Sequence, residues 1–164
     1  MYWFKRKRRQ IKRVISFLPI IWKGFDWDYR YAVEIFQHQL KRTADLIEKD
    51  GRHLNNENTA NRIRTAVDLL ERVYDEKYSL EYLDQVEKKY GKSNFDFVET
   101  GDFDKNGDPY YTMEESYENN YTKGELELIS EDKSARRLES FAKQKRAHKL
   151  VWEFIEHNIQ NWWD

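Results

Sequence analysis

The sequence predicts a mainly α protein: a bundle of three to four helices with a long C-terminal helix and a small acidic β-hairpin insertion, with an α+β arrangement as the alternative. Three observations carry this. Apolar residues recur at spacings of three and four over four separate stretches, which puts them on one face of a helix. That period disappears between residues 92 and 129, where Asn106-Gly107 is a tight-turn signal between aromatic-rich runs. Aromatic content is 16% against 39% hydrophobic overall, so large rings can build a core in a chain that is 36% charged.

Taken in order, the first 23 residues hold eight Lys/Arg and no acid, and read as a basic arm followed by an apolar strap, Val14 to Trp22, broken by Pro19 and packed on the domain. The strap has nine residues, far short of the about 20 needed to cross a bilayer. The run superficially resembles a signal peptide, but Lys23-Gly24-Phe25-Asp26 offers no small-residue cleavage site. Residues 27–50 follow as a helix lined by Val33, Phe36, Leu40, Ala44 and Ile47, with Ile35 and Leu46 widening the stripe, Asp28 as N-cap and Gly51 after its end. A polar connection leads to a second helix over 57–76, with Ile63, Ala66, Val67, Leu70, Val73 and Tyr74 on one face. Ser79 caps a shorter helix to Tyr90, lined by Leu80, Leu83 and Val86 and stopped by Gly91.

Strands are expected near 94–103 and 109–113, a mobile acidic loop between 114 and 125, and a short strand at Leu126–Ile129. The final helix starts at Ser130 or Asp132 and reaches Trp162, about 45 Å at 1.5 Å per residue. Its stripe comprises Ala135, Leu138, Phe141, Trp152, Ile155, Ile159 and Trp162, with Lys145, Arg146 and Lys149 interrupting it centrally. The whole reads as a single α-rich domain over 24–164 with an insertion at 92–130, preceded by the 1–23 segment.

Charge is sorted along the chain. The net charge of −1 conceals a basic start and an acidic segment, 94–132, with twelve Asp/Glu against two Lys. Because surface potential is screened beyond about 8–10 Å, each pole acts locally. Cysteine is absent, which excludes disulfides, thiolate metal sites and cysteine nucleophiles and fits a reducing cytoplasm.

No catalytic, cofactor-binding or metal-ligating constellation emerges. Asp102 to Asp108 begins like a calcium loop, but the twelfth position is Met113, with Glu114 one residue late, and flanking helices are missing. Glu34/His38 and Glu153/His157 place a carboxylate and an imidazole four residues apart, whereas di-iron bundles use a spacing of three. Exposed helix pairs account for both.

The better candidates are binding surfaces. Lys5, Arg6, Lys7, Arg8, Arg9, Lys12 and Arg13 can grip phosphates, lipid headgroups or an acidic protein surface, including the acidic segment of this chain or of a neighbouring copy. A second cationic set is Arg62, Arg64, Arg146, His148 and Lys149, with Arg136 and Arg137 earlier on the last helix; an ordinary solvated helix face is the competing reading. Trp3, Trp27, Tyr29, Trp162 and Trp163 are aromatic anchor candidates, since aromatic rings dominate binding energy at interfaces. For Trp162 the alternative is packing against Trp27 or Phe25, leaving Trp163 at the surface.

Three blocks together carry a resemblance: the polybasic start leading into Phe25-Asp26-Trp27-Asp28-Tyr29-Arg30-Tyr31, the Arg62–Val73 helix, and Arg146-Ala147-His148-Lys149 followed by the closing Asn161-Trp162-Trp163-Asp164. In this order they resemble a family of small uncharacterised bacteriophage proteins. The resemblance covers most of the chain, less so 92–130, and implies a phage-encoded protein acting in the cytoplasm of an infected bacterium. It implies no catalytic residues.

The leading expectation is therefore a non-enzymatic accessory protein that binds a host macromolecule, foremost a host protein, in host takeover or counter-defence. The alternatives are an oligomeric sequestering protein for a small anionic ligand such as a signalling nucleotide, and a nucleic-acid-binding protein using the basic arm. Contact with a membrane surface and homo-oligomerisation are further options for the same surfaces. No cofactor is expected.

Overall fold

A computed structural model describes residues 2–24, 27–50 and 55–162 of the chain. Among them are five α-helices, α1 (Tyr2–Lys23), α2 (Tyr29–Asp50), α3 (Asn56–Tyr74), α4 (Lys77–Tyr90) and α5 (Lys123–Asn158), a 3₁₀ turn (Gln160–Trp162), and an antiparallel hairpin of β1 (Ser93–Phe103) and β2 (Pro109–Tyr117). The protein is mainly α with a β-hairpin insertion, as the hydrophobic periods predict.

The chain falls into two compact units: residues 1–76 with 146–164, and residues 77–145. In the first, α2 and α3 pair and bury Val33, Leu40, Ala44 and Ile47 against Ala60, Ile63, Ala66, Val67, Leu70 and Val73. Val151, Ile155 and Trp162 add the end of α5 to the buried set, and Phe36 stacks on Trp152 with ring centroids 6.2 Å apart. The start of α2 is fixed as expected, since the Arg30 backbone N–H donates to Asp28 Oδ1 at 2.9 Å, satisfying an otherwise orphaned donor of the first turn. Leu46, counted in the stripe from sequence, faces solvent. Gly51 lies outside the described residues.

The second unit has a thin apolar core, with Val86 and Ile129 its buried hydrophobic residues among those described. Polar cross-links accompany it. Lys133 Nζ bonds both Glu115 oxygens at 2.6 and 2.7 Å, and Asp132 Oδ2 accepts from Tyr90 Oη at 2.9 Å, Arg136 Nε at 2.8 Å and Lys89 Nζ at 3.2 Å. These donors, Arg136 first, hold the Asp132 carboxyl down at about 2. Burial and the neighbouring Glu115 push the Tyr117 hydroxyl up to about 12.

Several boundaries move. The expected arm and Pro19-broken strap form one continuous helix. Pro19 has no N–H to give the helix ladder, yet the helix runs on to a Gly24 N–H donating to Ile20 O at 2.9 Å. Ser79 is no cap: α4 starts two residues earlier and Ser79 is buried within it, while Leu80 and Leu83 stay half exposed. The expected loop at 114–125 is mostly ordered, because β2 extends to Tyr117 opposite Ser93. The expected strand at Leu126–Ile129 is instead helical. Thr122 and Glu125 form a capping box, with Glu125 Oε2 accepting the Thr122 N–H at 2.8 Å and Thr122 Oγ1 accepting the Glu125 N–H at 3.4 Å. This starts α5 seven residues before Ser130.

Candidate binding surface

α1 is amphipathic in an unusual sense, because its most apolar face points to solvent. At 100° per residue, Phe4, Ile11, Val14, Ile15, Leu18, Ile21 and Trp22 fall within one stripe, joined by Trp3 at its edge. Every one of these side chains is at least half exposed, from Leu18 at 50% to Trp22 at 90%.

The opposite side of the helix carries the contacts with α2. Phe17 meets the His38 ring edge-on at 4.6 Å and lies under the Arg42 guanidinium at 5.8 Å. Arg42 also donates to Ser16 Oγ, which in turn donates to the Arg13 carbonyl at 2.7 Å, and His38 Nε2 lies 3.5 Å from Ser16 Oγ. Burial, with Arg42 and Lys41 alongside, lowers the pKa of His38 and favours its neutral form. Gly24 completes the seat, since a Cβ there would overlap the Tyr31 ring.

All seven arm cations, Lys5 through Arg13, are exposed and form no ion pair among the described residues. Lys7 Nζ sits 5.8 Å from the Trp3 ring centroid, a cation–π contact inside the outward stripe, and Trp3 meets Phe4 edge-on at 5.0 Å.

The second cationic set does not converge. Arg64 is engaged by Glu48 at 2.7 Å and Asp45 at 3.2 Å, Lys149 faces Glu153 at 3.5 Å, and His148 Nε2 lies 3.5 Å from Tyr74 Oη. Arg62 and Arg146 are exposed. A recess of about 210 Å³ nearby is lined by Arg30 and Lys41 but also by Glu34, Glu71 and Asp75, and Arg30 already bonds Asp75 at 2.5 Å and the Tyr74 carbonyl at 3.0 Å. An anionic ligand would meet more acids than free cations there.

The aromatic anchors divide likewise. Trp27 and Tyr29 are exposed, Tyr29 lying 5.9 Å from the Tyr74 ring. Trp162 is core, its Nε1 buried without a hydrogen-bond partner among the described residues, so it offers nothing to a partner. With Trp27 86% exposed, a Trp27–Trp162 core pair is not what seats it. Phe25 and Trp163 lie outside the described residues.

In the hairpin, Asp104 Oδ1 accepts the N–H groups of Asn106 at 2.7 Å and Asp108 at 2.9 Å, which lowers its pKa and explains the residue as turn-former. Neither Glu–His pair recruits a third metal-ligating side chain among the described residues. His157 Nδ1 lies 2.7 Å from the Glu153 carbonyl oxygen, and His38 serves the α1 seat.

The residues missed from sequence are the outward stripe itself: Phe4, Ile11, Val14, Ile15, Leu18, Ile21 and Trp22. Their three–four–seven spacing is the signal of a shared helix face, and the proline at position 19 masks it. The chain matches no protein-family model, no curated protein and no solved structure.

Proposed function

We propose that the protein acts without catalysis, by docking on a host macromolecule or macromolecular assembly through the outward face of α1. The observation that carries this is the conjunction on one helix of a solvent-facing apolar stripe and seven cations with no ion pair among the described residues. Exposed apolar residues of this size rarely gather on a surface that stays bare, and cations around them speed encounter with an acidic partner. The resemblance to bacteriophage proteins supports a role as an accessory factor in the cytoplasm of an infected bacterium, in host takeover or counter-defence, on a host target.

The test is capture from bacterial lysate by the full chain and by a triple variant, Arg8→Glu/Lys12→Glu/Ile15→Asp. All three side chains are exposed, so the fold should survive. The wild type should retain a defined macromolecule or the membrane fraction, and the variant should lose it. Equal retention by both overturns the proposal.

A further inference from the structure

We infer that the occupant of the α1 stripe is an anionic lipid surface, with α1 lying in the plane of the headgroups. Four features of the helix point to it. Its apolar side chains form a band along 22 residues, while none of the helices described is long and apolar enough to cross a membrane. A strongly amphipathic helix with low net hydrophobicity and a Lys/Arg-rich polar side takes this position. Tryptophans stand near both ends, Trp3 and Trp22, where amphipathic indoles favour the interface.

The cations complement the negative potential of acidic lipids. Arg8 and Lys12 lie along one flank of the stripe and Lys5 and Lys23 beyond them, all exposed. The fourth feature is Lys7. It projects within the apolar stripe over Trp3, where a protein groove would have to bury its ammonium, whereas in a bilayer the stem snorkels and the charge stays at the headgroups. The contacts with α2 use the other side of α1, through Ser16 and Phe17, so the stripe can enter lipid with that seat intact.

Other occupants fit less well. A second α1 laid along the first would set eight cations against eight with no acid on either helix. Nucleic acid would satisfy the charges and leave Leu18, Ile21 and Trp22 bare.

The inference rests on α1 being the docking element, and its test separates the two claims. The full chain is sedimented with vesicles of phosphatidylcholine and phosphatidylglycerol at about three to one, and with phosphatidylcholine alone, across a salt series. The account expects binding to the acidic vesicles, weakening as salt rises. Arg8→Gln/Lys12→Gln should bind about fivefold more weakly per cation removed. Leu18→Asp should bind at least tenfold more weakly while keeping wild-type circular dichroism, and Trp22→Phe with Trp3→Phe should abolish most of the lipid-induced blue shift in emission.

No binding to acidic vesicles at low salt overturns the inference. So does a Leu18→Asp variant that binds like wild type, or a lipid-free dimer in which α1 lysines cross-link to the acidic hairpin of the neighbouring copy. Loss of lysate capture in the α1 triple variant, with no vesicle binding by the wild type, removes the lipid assignment alone. Equal capture by both proteins removes the docking role itself.

Discussion

Two leucines six residues apart on α2 test whether the helix faces the way the structure has it. Leu40 is 1% exposed in the α2–α3 interface and Leu46 is 60% exposed, although hydrophobic spacing alone places both in the apolar stripe. Leu40→Ala removes three buried carbon groups, about 2.4 kcal/mol at about 0.8 kcal/mol each. The incompletely collapsed cavity raises the cost to about 3 kcal/mol, inside the range of about 2.7–5 kcal/mol seen for buried leucines. For a chain of this length that lowers the melting temperature by about 6–12 °C. Leu46→Ala should change stability by no more than about 0.5 kcal/mol. Urea and thermal denaturation followed by circular dichroism measure both. Equal losses at the two positions, or a larger loss at Leu46, would refute the assigned orientation of α2 and with it the surface on which α1 is seated.

Further outcomes follow from single contacts. Asp132 titrates at about 2 when folded against an ordinary 3.8, so its contribution is complete above about pH 4 and fades as pH falls toward 2. Asp132→Asn should therefore lower the melting temperature at neutral pH and converge on wild type near pH 2; a gap that persists in acid contradicts the Lys89–Tyr90–Arg136 cluster. Gly24→Ala drives a methyl into the Tyr31 ring, at a cost of about 1–3 kcal/mol, and amide exchange over residues 16–20 should accelerate. Unchanged exchange there would show that Gly24 does not set the α1 seat.

The elements legible in the sequence are those whose burial matches their period. α3 buries Ala60, Ile63, Ala66, Val67, Leu70 and Val73 in strict three–four steps, and the hairpin turn is written in Asp104, Asn106 and Gly107. Illegible elements are those in which a local rule gave way. Pro19 sits inside α1, where loss of one hydrogen bond leaves enough other helical turns to continue. Leu126-Glu127-Leu128-Ile129 reads as a strand by alternation, but the Thr122–Glu125 capping box nucleates a helix ahead of it.

At the candidate site, sequence located the seven cations and Trp3. It missed the stripe beside them because periodicity tells which residues share a face and not whether that face is covered. Leu18 and Ile21 look like core residues by spacing and are surface by packing. Arg64 shows the reverse limit: its charge suggested an anion site, and only the folded chain brings Glu48 and Asp45 onto it.

The chain contains no cysteine, so single-cysteine spin labels can be placed on α1 without background. Labelling Val14→Cys, Ile15→Cys, Ser16→Cys, Phe17→Cys and Leu18→Cys in turn and recording electron paramagnetic resonance spectra tests the central claim most directly. The account predicts mobile labels at 14, 15 and 18 and restricted ones at 16 and 17 in the free protein, with 15 and 18 becoming immobilised when the target is bound. Uniform mobility along the segment, or restricted labels at 15 and 18 in the free protein, would contradict an outward apolar face on α1.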